Sequence, residues 1–350
     1  MLGVCRSNAA GAIRTPWAAE VVSQPLSSVT LEELDRAAAL VYAVMPPTPQ
    51  FAWPKLEQRL GCKVWVKHEN HTPTGAFKVR GGLVYFDRLL RTQPAVKGVI
   101  SATRGNHGQS VAFAAARAGV AATLYVPQGN SPDQNSAMRT FGASVVEYGT
   151  DFDEAKHEAL RVSESLGLHW LPSFHTDLVV GVASYALEFF RAVQDLDTVY
   201  VGVGMGSGIC GLILVRDLLG LQTRIVGVSA ALAPASALSF TAGLPVVTAT
   251  ARTFADGIAT REPNPEAITM ICRGAARMVE VSEDSIAAAM RCYFDDTHQI
   301  AEGAGAAPLA ALTQDREHLA GRKVGVILSG GNIESERYRA VLNGETPHVR

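Results

Sequence analysis

The sequence predicts an α/β protein with two open parallel-sheet domains, the smaller inserted in the larger. From residue 98 onward, short β-branched apolar runs alternate with amphipathic segments of about ten or more residues, as in parallel strands covered by helices. Hydrophobic residues make up 47% of the chain and charged residues 18%, which allows a substantial core. We expect a loosely ordered N-terminal arm at 1–28, a larger domain at 29–97 and 174–350, and a smaller domain at 98–173.

The larger domain is expected to begin with a helix. Thr30-Leu31-Glu32-Glu33 is a capping-box sequence, in which the threonine hydroxyl and the glutamate at N3 bond to free amide groups at a helix start. The helix should run to about Val44 and end at the proline-rich segment 45–49. A short helix at 54–60, a strand at 62–67 and a helix at 82–90 should follow.

The alternating pattern then predicts the remaining elements. In the smaller domain we expect strand and helix pairs at 98–101 with 106–118, 121–126 with 132–141, and 144–147 with 152–166. In the larger domain we expect strands at 198–203, 225–228 and 324–328, and helices at 181–193, 208–219, 264–272, 282–294 and 305–314.

Composition argues against several classes of partner. The formal net charge of −2 gives no electrostatic reason to expect nucleic acid or an anionic membrane. No apolar run reaches the roughly 18 residues of a membrane span, and the arm lacks the apolar region of a signal peptide, although an arginine-poor transit peptide is an alternative. The cysteines are odd in number and widely spread, typical of reduced thiols in a cytoplasmic protein: Cys5, Cys62, Cys210, Cys272 and Cys292.

Lys78 is the strongest candidate for a chemically reactive side chain. It follows a predicted strand through a glycine-containing turn and precedes a predicted helix, with apolar Ala76 and Phe77 beside it. Partial desolvation and nearby helix-terminal amide groups both favour the neutral, nucleophilic amine. The alternative is an ordinary solvated lysine on the first turn of a helix.

Three loops should lie with Lys78 at the carboxyl ends of the strands, where open parallel sheets bind ligands. Residues 101–108 join a strand to a helix start whose amides can face an anion. Residues 202–211 form a glycine-rich loop suited to a phosphate; a dinucleotide fingerprint is disfavoured because no acidic residue ends a strand about 20 residues further on. Residues 329–332 close the last strand, where Ser329 is either a ligand or a turn-former.

Taken in order, the segments 73–81, 101–108, 204–211 and 329–332 resemble the pyridoxal-phosphate enzymes of fold type II, the tryptophan-synthase-β family. The resemblance covers about residues 30 to 345. The sequences Thr74-Gly75-Ala76-Phe77-Lys78, Gly105-Asn106-His107-Gly108-Gln109, Phe254-Ala255-Asp256-Gly257 and Leu328-Ser329-Gly330-Gly331-Asn332 are most similar to the serine/threonine dehydratase and serine racemase branch.

The resemblance implies pyridoxal 5'-phosphate in the cleft between the domains, and a homodimer. Lys78 would form the Schiff base, and the cofactor-binding residues would be Lys78, Phe77, Asn106, Gly204, Met205, Gly206, Ser207, Gly208, Gly257, Glu302 and Ser329. The substrate carboxylate would lie against Ser101, Thr103, Arg104, Gly105, Asn106 and His107.

The implied activity is α,β-elimination of water from an L-β-hydroxy amino acid such as threonine or serine, giving a 2-oxo acid and ammonia. Ser329 would face the pyridine nitrogen, and because a neutral hydroxyl cannot keep that nitrogen protonated, elimination is favoured over transamination. The alternatives are a cysteine-synthase-like β-replacement, a hydroxyaspartate or phenylserine dehydratase, a non-enzymatic cofactor-binding protein, and a nicotinamide oxidoreductase.

The sequence departs from the branch at three points. Arg104 replaces a small residue that serves the racemase as its second base, so a two-base racemase is not expected; Arg104 would clamp the α-carboxylate or a second carboxylate, or point to solvent. Ser229 and Ala235 replace the acids of a divalent-cation site, so we expect no metal there. The chain ends soon after the Ser329 loop, without a regulatory domain, which favours a catabolic role.

Overall fold

The computed structural model describes residues 25–349. The predicted N-terminal arm therefore lies outside the described residues except at 25–28, where Leu26–Ser28 form a short 3-10 helix and Leu26 is buried. None of the helices in residues 25–349 is long and apolar enough to cross a membrane.

The larger sheet has six strands in the order β1-β2-β10-β7-β8-β9. They are β1 (Gln50–Ala52), β2 (Lys63–His68), β7 (Thr198–Gly202), β8 (Arg224–Ala230), β9 (Arg277–Val281) and β10 (Lys323–Leu328). The central strand β10 pairs in parallel with β2 and β7, so that Val324 lies opposite both Val64 and Thr198. The edge strand β1, which the sequence analysis did not predict, pairs antiparallel with β2.

The smaller sheet has four parallel strands in the order β5-β4-β3-β6. They are β3 (Val99–Ala102), β4 (Ala122–Val126), β5 (Ser144–Glu147) and β6 (His169–Trp170). All four lie in the chain between β2 and β7, so this sheet is inserted within the larger one and the predicted fold class is confirmed. The domain limits at 98 and 173 stay predictions, because one hydrophobic core contains side chains of both sheets, among them Val99, Leu124, Val199 and Ile225.

Helices cover both sheets. Their bounds are α1 (Leu31–Tyr42), α2 (Pro54–Leu60), α3 (Lys78–Thr92), α4 (Asn106–Ala118), α5 (Pro132–Thr140), α6 (Phe152–Leu166), α7 (Thr176–Ala192), α8 (Ser207–Leu218), α9 (Ala235–Ala242), α10 (Pro265–Gly274), α11 (Glu283–Thr297), α12 (Gly303–Asp315) and α13 (Ser335–Leu342). The order predicted from the alternating pattern is therefore present, with additional elements at β1, β6, β9, α9 and α13.

The capping box predicted for α1 forms only in part. The Thr30 hydroxyl accepts the Glu33 amide hydrogen at 3.2 Å, as expected for an N-cap. The Glu33 carboxylate does not reach back to the cap; it accepts a hydrogen bond from Arg88 on α3 instead. Tertiary contact thus overrides the local motif.

Helix α3 begins at Lys78, four residues before the predicted start. Gly81 and Gly82 lowered the helical signal, but the structure uses them for close packing. A Cβ on Gly81 would lie 2.8 Å from the Leu178 carbonyl oxygen, and one on Gly82 would lie 2.4 Å from Ser110 Oγ. These glycines let α3 contact α7 and α4 at backbone distance, and this contact places Lys78 on the first turn.

Candidate active site

The carboxyl ends of β2, β3, β7 and β10 open on one cavity of about 310 Å³. Of the site residues predicted from the sequence, all except Ser101 line it: Phe77, Lys78, Thr103, Arg104, Gly105, Asn106, His107, Gly204, Met205, Gly206, Ser207, Gly208, Gly257, Glu302 and Ser329. The cavity lies between the two sheets, where the resemblance placed the cofactor.

Ser101 corrects the prediction. It lies within β3, which extends one residue further than expected, and its side chain is fully buried. The hydroxyl donates to the Leu171 carbonyl oxygen at 2.7 Å and contacts His107 Nε2 at 3.2 Å. Ser101 therefore contacts His107 from the protein interior and does not line the cavity.

The Lys78 side chain reaches the cavity from the first turn of α3. Its Nζ donates to Ser207 Oγ at 3.2 Å and lies 5.3 Å from the centroid of the Phe77 ring. Desolvation lowers the pKa of the Lys78 amine from its usual value to about 8. An appreciable fraction of the amine is therefore unprotonated near neutral pH, as a nucleophile requires.

The glycine loop before α8 forms an anion cradle. Gly206 adopts a left-handed φ of 101° at the helix N-cap, and no side chain caps the helix, so its first N–H groups have no intrahelical acceptor. A Cβ on Gly204 would lie 2.3 Å from the Gly257 carbonyl oxygen, so close packing requires that glycine. A Cβ on Gly208 would meet no protein atom closer than 3.5 Å, so the protein neighbours do not require this glycine.

Asn106 and Glu302 form a hydrogen-bonded pair across the cavity. Asn106 Nδ2 donates to the two Glu302 carboxylate oxygens at 2.8 and 3.0 Å. Burial raises the pKa of Glu302 to about 7, although the bond from Asn106 acts in the opposite direction. Asn332, which the prediction quoted in its motif without a role, donates to Asn106 Oδ1 and to the Thr74 carbonyl oxygen, both at 2.8 Å. It thereby orients the Asn106 amide.

Ser329 follows β10 and is tied to the segment that carries Lys78. Its carbonyl oxygen accepts the Phe77 amide hydrogen at 3.0 Å, and the next residue, Gly330, forms an antiparallel bridge with Ala76. Ser329 lines the cavity, and no hydrogen-bond partner for its hydroxyl is found in residues 25–349. A neutral group able to donate or accept thus lies at the cavity wall.

Hydrogen bonds within the loop after β3 fix its conformation. Thr103 Oγ1 accepts the Gly105 and Gly108 amide hydrogens at 3.1 and 2.9 Å. Burial, and secondarily the charge of Lys78, lowers the pKa of His107 to about 3, so its ring is neutral at ordinary pH. This fixed loop presents the N-terminus of α4 to the cavity.

Two arginines and an aspartate lie at the cavity wall. Arg104 Nη1 is 3.9 Å from Asp256 Oδ1, and Arg337 Nη1 is 3.9 Å from Asp256 Oδ2. Arg104 is therefore directed across the cavity, from the smaller sheet's loop towards the larger sheet, and does not simply point to solvent. Arg337 escaped prediction because it lies on the unpredicted helix α13, whereas Asp256 was visible only as part of the motif 254–257.

These groups fit an anionic aldehyde cofactor on the evidence of the cavity alone. Three groups lie around the same space: the Lys78 amine with its lowered pKa, the uncapped N-terminus of α8, and Ser329, whose hydroxyl has no partner in the described residues. At the start of α8, Gly208 is not required by its protein neighbours. The fold and this cavity are those of an α/β enzyme able to bind a phosphorylated carbonyl cofactor. The chain belongs to the family of pyridoxal-phosphate dependent enzymes, whose family model matches residues 42–330.

Similar known proteins support the serine/threonine dehydratase branch. A biosynthetic L-threonine dehydratase of Haemophilus influenzae is 32% identical over 321 residues, 91% of this chain and 62% of the relative. An L-threonine ammonia-lyase of Geobacter sulfurreducens is 36% identical over 287 residues, 81% of this chain and 71% of the relative. A solved structure, the processed form of threonine deaminase isoform 2 from Solanum lycopersicum, has a TM-score of 0.82 at 29% identity and covers 93% of this chain and 96% of that one.

These similarities confirm the predicted family, branch and cofactor. The chain spans 50% to 63% of the length of the biosynthetic relatives, which is less than two thirds. No group of three or more His, Cys, Asp or Glu side chains suited to a metal ion occurs within the described part of the chain, and the expectation about Ser229 and Ala235 stays a prediction.

Proposed function

We propose that the protein is a pyridoxal-phosphate-dependent dehydratase (ammonia-lyase) that removes water from an L-β-hydroxy amino acid of the threonine or serine type, releasing a 2-oxo acid and ammonia. The observation that carries the proposal is the Lys78 amine, with a pKa of about 8, in a cavity whose wall holds a neutral hydroxyl at Ser329. The relatives named above are dehydratases and ammonia-lyases, which disfavours the β-replacement alternative.

Cofactor binding would use the groups that face the cavity. Lys78 would hold the aldehyde carbon, and the amides of 204–208 would hold the phosphate at the start of α8. Asn106 would bond the phenolic oxygen, with Glu302 behind it, and Phe77, Met205 and Gly257 would pack around the ring. When bound, the cofactor withdraws electrons from the substrate and acidifies its Cα–H bond.

Lys78 would move the protons. Once the substrate amine has displaced it, the freed Nζ is the base that takes the Cα proton, and its pKa of about 8 leaves enough free base at neutral pH. Ser207, 3.2 Å from Nζ, holds the amine in place between these steps. The Lys78 ammonium would then return this proton to the β-hydroxyl, which leaves as water, and the released enamine would hydrolyse to the 2-oxo acid and ammonia; a bound cofactor phosphate is the alternative proton donor.

The Ser329 hydroxyl would decide the reaction type. Placed against the pyridine nitrogen, it offers no negative charge to keep that nitrogen protonated. A bound cofactor would then withdraw electrons from Cα less strongly, so that loss of a β-substituent would be the favoured outcome. A carboxylate at position 329 would favour transamination instead.

The substrate carboxylate would lie on the amides of residues 103–107 at the start of α4. Arg104 emerges from this loop and is well placed to bind a carboxylate, either the α-carboxylate or one on the β-carbon of a hydroxyaspartate. Asp256 Oδ1, 3.9 Å from Arg104 Nη1, would keep the guanidinium at the cavity wall until the substrate binds.

We further propose a cytoplasmic homodimer. The four cysteines of the described residues are unpaired thiols, which suits a reducing compartment. The homodimer rests on the family resemblance.

The test is keto-acid release from threonine, serine, 3-hydroxyaspartate and phenylserine, each supplied alone with the cofactor. We expect 2-oxo acid and ammonia in equal amounts from at least one of them, and none from a Lys78→Ala variant. If no keto acid forms, but adding a second nucleophile such as sulfide yields a new β-substituted amino acid, the enzyme is a β-replacement synthase. If no substrate yields product although the cofactor is bound, the non-enzymatic alternative holds.

A further inference from the structure

Behind the first turn of α3 lies a fully buried cluster of four charged side chains, Lys67, Glu69, Arg80 and Glu188, whose exposed fractions are 0%, 0%, 0% and 5%. Arg80 Nε donates to Glu69 Oε2 at 2.7 Å, and Arg80 Nη1 donates to Glu188 Oε1 at 2.6 Å. Lys67 Nζ donates to Glu188 Oε2 at 2.5 Å. The two positive and two negative charges balance.

Every nitrogen of the Arg80 guanidinium is bonded. Besides the contacts above, Nη1 donates to Ser184 Oγ at 3.0 Å, and Nη2 donates to Thr48 Oγ1 at 3.2 Å and to both carboxylates at 3.0 Å. The planar fork of an arginine can make this set of bonds, whereas the single ammonium of a lysine cannot. The cluster thereby connects α3 to the segment before β1, to the end of β2 and to α7.

None of the four residues lines the cavity. Arg80 follows Lys78 by two positions, which places their side chains about 200° apart around the helix. One face of the first turn therefore presents the Lys78 amine to Ser207, and the opposite face presents Arg80 to the cluster.

The backbone of this turn is also enclosed. A Cβ on Gly181 of α7 would lie 2.4 Å from the Arg80 carbonyl oxygen, and the Lys78 carbonyl oxygen accepts a hydrogen bond from Ser110 of α4 at 2.6 Å. The turn is held by α7 on one side and α4 on another. A small rotation of α3 would break the Arg80 bonds and withdraw Nζ from Ser207 together.

We propose that Arg80 is a positioning residue: through the buried cluster with Glu69, Glu188 and Lys67 it fixes the rotation of the first turn of α3 and so holds the Lys78 amine at the cavity wall. A buried ion cluster is a poor source of net stability, since well-packed apolar side chains of similar volume do as well or better. Its use here is geometric. The catalytic consequence rests on the role proposed for Lys78, but the position of the amine does not.

The test measures Lys78 itself in cofactor-free protein. The rate at which an amine-modifying reagent (trinitrobenzenesulfonate) labels Lys78, followed peptide by peptide by mass spectrometry across a pH series, gives its apparent pKa. We expect about 8 in the unaltered protein. Arg80→Lys keeps the charge and loses the fork, so the turn loosens, Nζ gains water and its pKa should rise towards that of a solvated lysine, about 10.4.

Two further variants test the cluster without altering Arg80. Thr48→Ala removes one acceptor of Arg80, and Glu188→Gln removes one charge; both should raise the Lys78 pKa by a smaller amount. The matched control is Leu312→Ala on α12, which removes a fully buried side chain from a core cluster that contains no residue of α3. It should lower the melting temperature and leave the Lys78 pKa at about 8.

The outcomes separate the two proposals. If Thr48→Ala and Glu188→Gln lower the melting temperature while the Lys78 pKa stays unchanged, the cluster is merely structural and the inference is wrong. If the pKa rises as expected but the unaltered protein releases no keto acid, the positioning role stands and the proposed function fails.

Discussion

Gly208→Ala should strengthen the fold and weaken cofactor binding. The new Cβ would meet Tyr185 Oη at 3.5 Å and Phe77 Cζ at 3.7 Å, both ordinary contacts, so the protein itself tolerates the methyl group. Alanine is better than glycine in a helix by about 0.5 to 1 kcal/mol, because glycine loses more backbone freedom on folding. The free energy of unfolding of the cofactor-free protein should therefore stay the same or rise by up to that amount.

The same methyl group would occupy the cradle proposed for the phosphate at the start of α8. Displacing the phosphate by even part of an ångström lengthens its bonds to the helix amides, and we expect the dissociation constant of pyridoxal phosphate to rise at least about tenfold, or 1.4 kcal/mol. Urea unfolding of the cofactor-free protein and absorbance titration with the cofactor measure the two effects separately.

Gly204→Ala is the matched control. Its Cβ would lie 2.3 Å from the Gly257 carbonyl oxygen, so this variant should lose stability even without cofactor. Unchanged affinity for pyridoxal phosphate in Gly208→Ala would show that the phosphate does not sit at the start of α8, and the reasoning from the glycine loop would be refuted.

Four further predictions concern the other cavity groups. The pKa of the Glu302 carboxyl is raised to about 7, so this group binds more protons in the folded than in the unfolded protein between about pH 4.5 and 7. Its contribution to the free energy of unfolding is therefore present at the acidic end of this range and is lost as pH rises through 7, by at most about 3 kcal/mol. Subtracting the unfolding free energy of Glu302→Gln from that of the unaltered protein at each pH removes the contribution of His107, which both share. A difference that does not change with pH would contradict the argument that burial raises the Glu302 pKa. Asn332→Ala should free the Asn106 amide to rotate and should weaken cofactor binding more than it weakens the fold, measured by absorbance titration and thermal melting; equal loss of both would point to a packing role. Ser329→Asp should raise the yield of hydroxypyruvate relative to pyruvate from serine, because a carboxylate keeps the pyridine nitrogen protonated; an unchanged ratio removes the argument about reaction type. Arg104→Ala should raise KM more than it lowers kcat, since a carboxylate contact is present before and during the reaction, and unaltered relative rates across the four test substrates would exclude Arg104 from substrate choice.

The groups found from the sequence are those whose local pattern carries the chemistry. Lys78 and the loop at 204–208 stand between a strand and a helix start, and that arrangement alone places them at the carboxyl edge of a parallel sheet. Ser329 follows the last strand in the same way. Ser101 was misplaced because it belongs to both the predicted strand and the predicted loop, and the sequence does not reveal that its side chain faces the interior.

Other groups depend on tertiary contacts that no local pattern reveals. Arg80 carries an ordinary helical position in the sequence, and only the packing of β2 and α7 against α3 brings its two carboxylate partners from positions 69 and 188. Asn332 acts on Asn106 across the cavity, and Arg337 lies on a polar helix too short to be recognised. The strands β1 and β6, of three and two residues, exist because a neighbouring strand pairs with them.

The most direct measurement of the central claim is reduction of the cofactor-loaded protein with borohydride, followed by peptide mapping. Lys78 should carry the pyridoxyl group, and Lys78→Ala should lose both the label and keto-acid release. A label on Lys67 or any other lysine, or full turnover in Lys78→Ala, would contradict the account.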